Sequence, residues 1–429
     1  MKKILKIVLI SALFCAPAAG TLAAEDIAEE LLETKHENEI VLNLEEAPVE
    51  NVLENAENKP LFGFEDADGD GIPDNNELDF EIFKLFDKDK EVSEDSLLGK
   101  VLNSKITRTD IPTFLLQDEL TFEYENGPVS KIHAYGAYRG AINAVLDTNY
   151  STDYDNLVTQ FGVYGQFRNP DYKFKFAANP IPLKGLNYAD RLVSDAYFVN
   201  TSIPNHQIVA GYSRVQTGIE GGVSTYTLPF VARSQIARNF GGAKSLALKI
   251  IGNYQYVDYN FSVGSSGRYI TSGMPGTEFN GWVNVKPFGN RSKKYGKLTL
   301  GGGFNGGHNR IDYSVLSGYI GYHHKKLWAN IEAGVADGYN GFNGISSNNS
   351  CGYAATMGWK FNPHWQLIGR IDQFDPNRNI SGDLKREYTL GLNWFIKGQA
   401  LKVILNYVFC DSQNRPDSHK IILATQIVI

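Results

Sequence analysis

Residues 65–77 read EDADGDGIPDNNE. Asp66, Asp68, Asp70, Asp74 and Glu77 fall at positions 1, 3, 5, 9 and 12 of a twelve-residue loop. Gly71 is at position 6 and the Ile72 carbonyl at position 7. Calcium takes six to eight oxygen ligands, and this order of donors around a glycine turn supplies them. Four aspartates this close repel one another unless a cation lies between them. The spacing therefore predicts a structural Ca2+ site on Asp66, Asp68, Asp70, Ile72, Asp74 and Glu77. The alternative is an acidic tether with no metal. A second run at Asp87, Asp89 and Glu91 lacks both the glycine and the closing carboxylate, and is not counted.

The second group of chemistry-bearing residues is basic. Arg233 and Arg238 lie in the longest internal loop, 217–241, among the apolar Phe230, Ile236 and Phe240. Lys173, Lys175, Lys249, Lys286, Arg370 and Lys402 stand at alternate positions of strand-like runs, with Glu332 and Asp372 as local offsets. Cations spaced in this way can line an aqueous path and favour anions. The same arginines could equally be solvated loop charges, or pair with Glu332 or Asp372. No Ser-His-Asp arrangement, phosphate loop or cysteine pair motif is present, so no enzyme is expected. The basic residues are dispersed among aromatics at strand spacing, which does not imply nucleic-acid binding.

The compartment follows from the start of the chain. MKKILKIVLISALFCAPAAGTLAAED carries Lys2, Lys3 and Lys6 ahead of an apolar run and small residues, the pattern of a bacterial secretory signal peptide over 1–24. No later stretch reaches the roughly 18 apolar residues of a membrane helix. Charge is uneven: residues 25–105 hold 25 acidic and 7 basic side chains, whereas 106–429 hold 23 acidic and 31 basic. An acidic arm thus precedes a basic body. Residues 25–60 read as the acidic arm, and 61–105 as the calcium loop plus a helical linker with Phe80, Phe83, Leu85 and Phe86 at helical spacing.

From about Val129 the period changes to two. YKFKFA sets Tyr172, Phe174 and Phe176 against Lys173 and Lys175, and LKVILNYVF sets Leu401, Val403, Leu405, Tyr407 and Phe409 against Lys402 and Asn406. One apolar and one polar face per strand is the mark of a sheet between two media. About sixteen such runs occur, an even number, joined alternately by short turns and longer loops, as in a single-chain outer-membrane barrel. Long loops are expected at 147–155, 181–190, 217–241, 265–276, 339–349, 375–385 and 411–418. Lipid leaves no backbone N–H or C=O unpaired, so the sheet must close. Tyr319, Tyr322, Trp328, Trp359, Trp365 and Trp394 are expected in the interfacial girdles. A soluble sandwich would show the same alternation, but not the alternating loop lengths or the terminal strand HKIILATQIVI.

STYTLPFVARSQIARNFG (224–241), GRIDQFDPNR (369–378) and REYTLGLNWFIKGQALKVILNYVF (386–409) resemble the phosphate-selective porins O and P of bacterial outer membranes. That resemblance implies a trimeric sixteen-stranded barrel whose third long loop folds into the lumen, and passive, anion-favouring diffusion. The calcium loop, with Pro73 after Ile72, is similar to thrombospondin type 3 and dockerin repeats, in which calcium orders a linker.

The expected protein is an all-β membrane protein: a transmembrane β-barrel over 106–429 with a short, acidic, partly helical N-terminal extension in the periplasm. The expected function is passive diffusion of small hydrophilic solutes, leaning anionic, with Arg233 and Arg238 at the constriction and the six strand cations along the pore. A structural anchor whose acidic arm touches the cell wall or a periplasmic partner is the competing reading. A channel specific for phosphate or an organic anion is a third.

Overall fold

The computed structural model describes residues 121–428, apart from 148–149, 182–186, 255, 290–294 and 398. The signal segment, acidic arm and calcium loop lie outside the described residues. A short β1 (Thr121–Glu123) precedes β2 (Val129–Leu146), β3 (Ser151–Phe167), β4 (Tyr172–Ala178), β5 (Val193–Asn200) and β6 (His206–Arg214). Then come β7 (Lys244–Asn253), β8 (Val257–Ser265), β9 (Thr277–Val285), β10 (Lys297–Asn309), β11 (Ile311–His324) and β12 (Leu327–Gly341). The sheet finishes with β13 (Gly344–Asn362), β14 (Trp365–Asp375), β15 (Lys385–Lys397), β16 (Leu401–Ser412) and β17 (Arg415–Val428).

Each strand from β2 to β17 pairs antiparallel with the next, and β17 returns to β2 from His419↔Leu146 to Val428↔Ala137. The result is a closed sixteen-stranded antiparallel barrel with one extra strand. That extra strand, β1, pairs with Lys131–His133 of β2, beyond the point where β17 ends. It prolongs the line of β17 toward the rim of short turns.

The two faces are inverted relative to a soluble protein. Large apolar side chains point outward and are exposed: Phe198, Leu248, Phe279, Leu316, Leu390 and Leu405, among others. Charged and amide side chains point inward and are buried, as with Lys249, Glu332, Arg370, Asn393, Lys402 and Gln426. A surface of this kind is stable only in lipid, where an apolar outer band is required and the paired ladder leaves no edge. Among the described residues no helix is long and apolar enough to cross a membrane; the crossing is made by strands.

Several expected features differ. β3 begins at Ser151, inside the long loop expected at 147–155. The loops expected at 339–349 and 411–418 shrink to two residues each, Phe342 with Asn343 and Gln413 with Asn414, because β13 and β17 begin earlier than the apolar alternation does. Their polar starts carry the hydrogen-bond ladder beyond the apolar alternation. At the girdle, Tyr322, Trp359 and Trp394 are exposed, and Trp365 stacks on Trp394 with centroids 5.6 Å apart. Trp328 and Tyr319, in contrast, are buried on the inner face. Trp328 follows the outward Leu327, so strand parity turns it inward.

Candidate functional site

The segment 215–243 joins β6 to β7 and folds inside the barrel. It carries a short helix, Ile219–Gly222, a 3-10 turn, Thr225–Thr227, and a second short helix, Gln235–Asn239. Its apolar residues explain why it enters. Ile219 packs on Trp282 and Tyr319, Phe230 on Trp328 and Ile368, and Val231 in a cluster with Ala141, Ile404, Ile422 and Ala424. Ile236 and Phe240 pack with Val315, Ala354 and Phe374. These wall residues are apolar on a face that is otherwise polar, and the loop covers them. Each such side chain buried contributes about 1.5–3 kcal/mol. Val223 and Tyr226 reach Ala137, Ala400 and Val428, so the loop descends close to the short-turn rim.

The loop's backbone has no sheet to pair with, and the wall supplies partners for it. Glu332 on β12 accepts from the Ile219 and Glu220 amides at 2.8 and 3.1 Å. Asp372 on β14 accepts from the Gln235 amide at 2.6 Å. Asn406 on β16 accepts from Val231 N at 2.8 Å. Lys402 donates to the Tyr226 and Leu228 carbonyls at 3.0 and 3.1 Å, and Arg139 donates to those of Thr225 and Phe230. Ser234 caps the second helix, accepting from Ala237 N at 3.3 Å. Gly218 opens the loop at φ 69°, and a Cβ there would collide with the Glu332 carboxylate. Buried carbonyls and amides are costly when unpaired, so these side chains fix the path of the loop.

All eight basic residues singled out from the sequence lie on the inner face or on the loop. Arg370 and Lys402 sit beneath the loop: Arg370 donates to the Ala232 carbonyl at 3.0 Å and stacks over the Phe230 ring at 4.6 Å. Lys173, Lys175, Lys249 and Lys286 are buried on the opposite arc, with Lys175 3.8 Å from Asp195 and Lys286 paired with Asp258. Arg233 donates to the Glu220 and Val223 carbonyls of its own loop. Burial, with repulsion from Arg214, lowers its guanidinium to about 9, which leaves it charged at neutral pH. Arg238 pairs with Glu387 of β15 at 2.9 Å.

Between the loop and the wall of β3, β5 and β6 a cavity of about 300 Å³ remains open. Six cations line it: Arg191, Arg214, Arg233, Arg238, Lys244 and Arg268. Asp195 is the one carboxylate in its lining among the described residues. Lys244 holds Asp195 at 2.7 Å, and Arg268 holds Glu278 at 3.1 Å. Arg191 and Arg214 form no ion pair with any described carboxylate. Arg191 lies between the rings of Tyr269 and Phe342, 4.9 and 4.8 Å away, and Arg214 donates to the Gly242 carbonyl at 3.1 Å. The Nε atoms of both arginines are buried without a protein acceptor. In a narrow space walled by protein such charges act at short range on whatever passes.

Four of these cations escaped sequence reasoning. Arg214 and Lys244 face one another across the β6–β7 ladder at the foot of the loop. A basic residue at each end of the longest loop was the available signal. Arg191 and Arg268 come from two other long loops, and nothing local marks them.

Residues 254–427 match the family described as phosphate-selective porin O and P. The match falls on the part of the barrel from β8 to β17, which includes two of the three stretches that carried the resemblance. No curated protein matches the chain. Porin structures are similar in fold. Salmonella typhi OmpF, in complex with daunomycin, aligns with a TM-score of 0.55 at 11% identity over 71% of this chain and 99% of its own. An anion-selective porin from Comamonas acidovorans aligns with a TM-score of 0.51 at 10% identity, over 70% of this chain and 99% of its own. The outer membrane channel DcaP of Acinetobacter baumannii gives 0.50 at 11% identity, over 72% and 99%. At such identities these likenesses speak to fold. Together, the porin-family match over this part of the chain and the lipid-facing barrel indicate an outer-membrane protein and support a channel.

Proposed function

We propose that the protein is a passive outer-membrane porin for small hydrophilic solutes that prefers anions. The observation that carries this reading is the lining of the gap beside the infolded loop: six cations to one carboxylate among the described residues, with neither Arg191 nor Arg214 in ion-pair contact with a described carboxylate. A barrel this wide is nearly unselective when empty, and an infolded loop concentrates the choice at one narrow level. Arg233 and Arg238 contribute charge there. Lys173 and Lys175 on β4, Lys249 on β7 and Lys286 just after β9 add to the positive potential of the inner face.

Reversal potential in a KCl gradient across a planar bilayer tests this. Anion preference is expected. It should fall further for the Arg191→Ala, Arg214→Ala pair than for Arg233→Ala, Arg238→Ala, because Glu387 already neutralises Arg238. Cation preference, or no conductance, ends the proposal.

We further propose that residues 66–77 bind Ca2+ and stiffen a periplasmic connector ahead of β1. The full donor set Asp66, Asp68, Asp70, Ile72, Asp74 and Glu77 supports it. Calcium titration of the mature protein by calorimetry, compared with the Asp66→Ala, Asp70→Ala variant, is the measurement; equal heats would discard the site. The tether reading is separated by deleting residues 25–105. Loss of envelope integrity with conductance intact would favour it. A homotrimer, as the family resemblance implies, is the assembly we propose in the membrane.

A further inference from the structure

The open side of the gap is not uniformly polar. Several apolar residues of the inner wall are covered by the loop, as Ile368, Ile404 and Phe374 are. Leu157, Val158 and Val193 line the cavity and are left only half-buried. Leu157 owes its position to a bulge. In the β2–β3 ladder Arg139 pairs with Val158 and Gly140 with Asn156, so Leu157 is the extra residue of β3. A bulge re-aims a side chain, and here it sets two successive apolar residues on the cavity. From the loop side Leu228, Val231 and Tyr226 meet the same space. Arg191, Arg214, Arg233 and Lys244 border it.

We infer that this site selects anions bearing an apolar body, such as aromatic and branched alkyl carboxylates, over bare inorganic anions of equal charge. The inference rests on the anion-preferring reading above and adds the substrate class. A carboxylate can meet the guanidinium groups of Arg191 and Arg214 where they line the cavity. Its ring or chain then lies on Leu157, Val158 and Val193 and removes apolar surface from water on both sides. Phosphate has no such surface to bury. It must also shed tightly held water against a wall that offers no replacement on that side. The cavity is at the small end of sites that take small organic molecules.

The test is block of chloride current through the full-length protein in planar bilayers, with benzoate, acetate and inorganic phosphate as probes at one ionic strength. Benzoate is expected to half-block at about one tenth of the acetate or phosphate concentration, the ratio that about 1.4 kcal/mol of additional binding gives. In Leu157→Ser, and independently in the near-isosteric Val193→Thr, the benzoate-to-acetate ratio should move toward one. Leu246→Ser, on the lipid face, should leave the ratio as it was. Heat-modifiable migration on gels establishes that each variant is folded. Equal potency of benzoate and acetate in the wild type overturns the inference, as does an unchanged ratio in both wall variants. If chloride preference over potassium is intact when that happens, the anion-porin reading stands and the substrate class alone falls. If chloride preference is absent, both fall.

Discussion

The inner wall has two arcs built from the same alternating strands, and they behave differently. From β9 round to β17 and β2 the wall offers apolar side chains in clusters and polar side chains with free hydrogen-bonding capacity, and the loop satisfies both. From β3 to β6 the wall carries cations, a buried cluster of its own around Tyr164, Tyr197 and Val209, and the half-buried Leu157, Val158 and Val193 along the gap. The difference shows how one strand pattern yields a support and a filter. The side that binds the loop spends its charges on backbone groups, as Lys402, Arg139, Glu332 and Asp372 do. The other side spends part of its charge too, Lys175 and Lys244 on Asp195 and Arg214 on the Gly242 carbonyl, but Arg191, Arg214 and Lys244 still line the gap.

The strongest way to break this division is to detach the loop. Phe230→Ala removes a ring held between Trp328, Ile368 and the Arg370 guanidinium, a loss of about 3–5 kcal/mol for a buried Phe. Single-channel current should rise and become noisy, with weaker ion preference, while the barrel keeps its heat-modifiable migration. A quiet channel of unchanged conductance would mean that the loop does not depend on this contact. Next in size is Lys402→Ala. It orphans the Leu228 carbonyl, at about 1–3 kcal/mol for a buried acceptor left unpaired. Gln426 still donates to Tyr226 at 2.9 Å, so the effect on conductance should be smaller than that of Phe230→Ala. The reverse order would place the fastening in the polar contacts rather than in the apolar clusters.

These contacts also mark what the sequence could reveal. The sixteen strands were legible because lipid outside and water inside impose period two on each of them. The exceptions are polar starts such as those of β13 and β17, where the ladder continues but neither medium selects side chains. Parity alone placed Lys173, Lys249, Arg370 and Lys402 on the inner face. It could not tell that Arg370 and Lys402 lie under the loop and Lys173 and Lys249 do not. The loop itself stood out by length and by Phe230, Ile236 and Phe240. Its partners did not, since Arg139, Glu332, Asp372 and Asn406 are remote in the chain and polar at positions where any luminal residue is polar. Leu157 was hidden for the reason that bulges always hide: one inserted residue shifts parity, and period-two reasoning has no term for it.

The smallest effect, and the sharpest on the open arc, comes from its single carboxylate. Asp195 holds Lys244 at 2.7 Å and Lys175 at 3.8 Å, so part of the basic charge is already answered. Asp195→Asn removes one negative charge without changing shape and leaves both lysines beside the gap. A charge felt through water at about 10 Å is worth roughly 0.4 kcal/mol before screening, with opposite sign for anion and cation, so the anion-to-cation permeability ratio should rise by at most roughly fourfold. Exposed charges are screened over about 10 Å at 0.1 M salt and about 3 Å at 1 M. The rise should therefore be measurable from reversal potentials at low salt and vanish at high salt. A gain that persists at 1 M would place Asp195 in direct contact with the permeating ion rather than across the gap from it. A fall in anion preference would mean that Asp195 serves the open arc by holding Lys244 in position, and that the two arcs differ less than their contacts indicate.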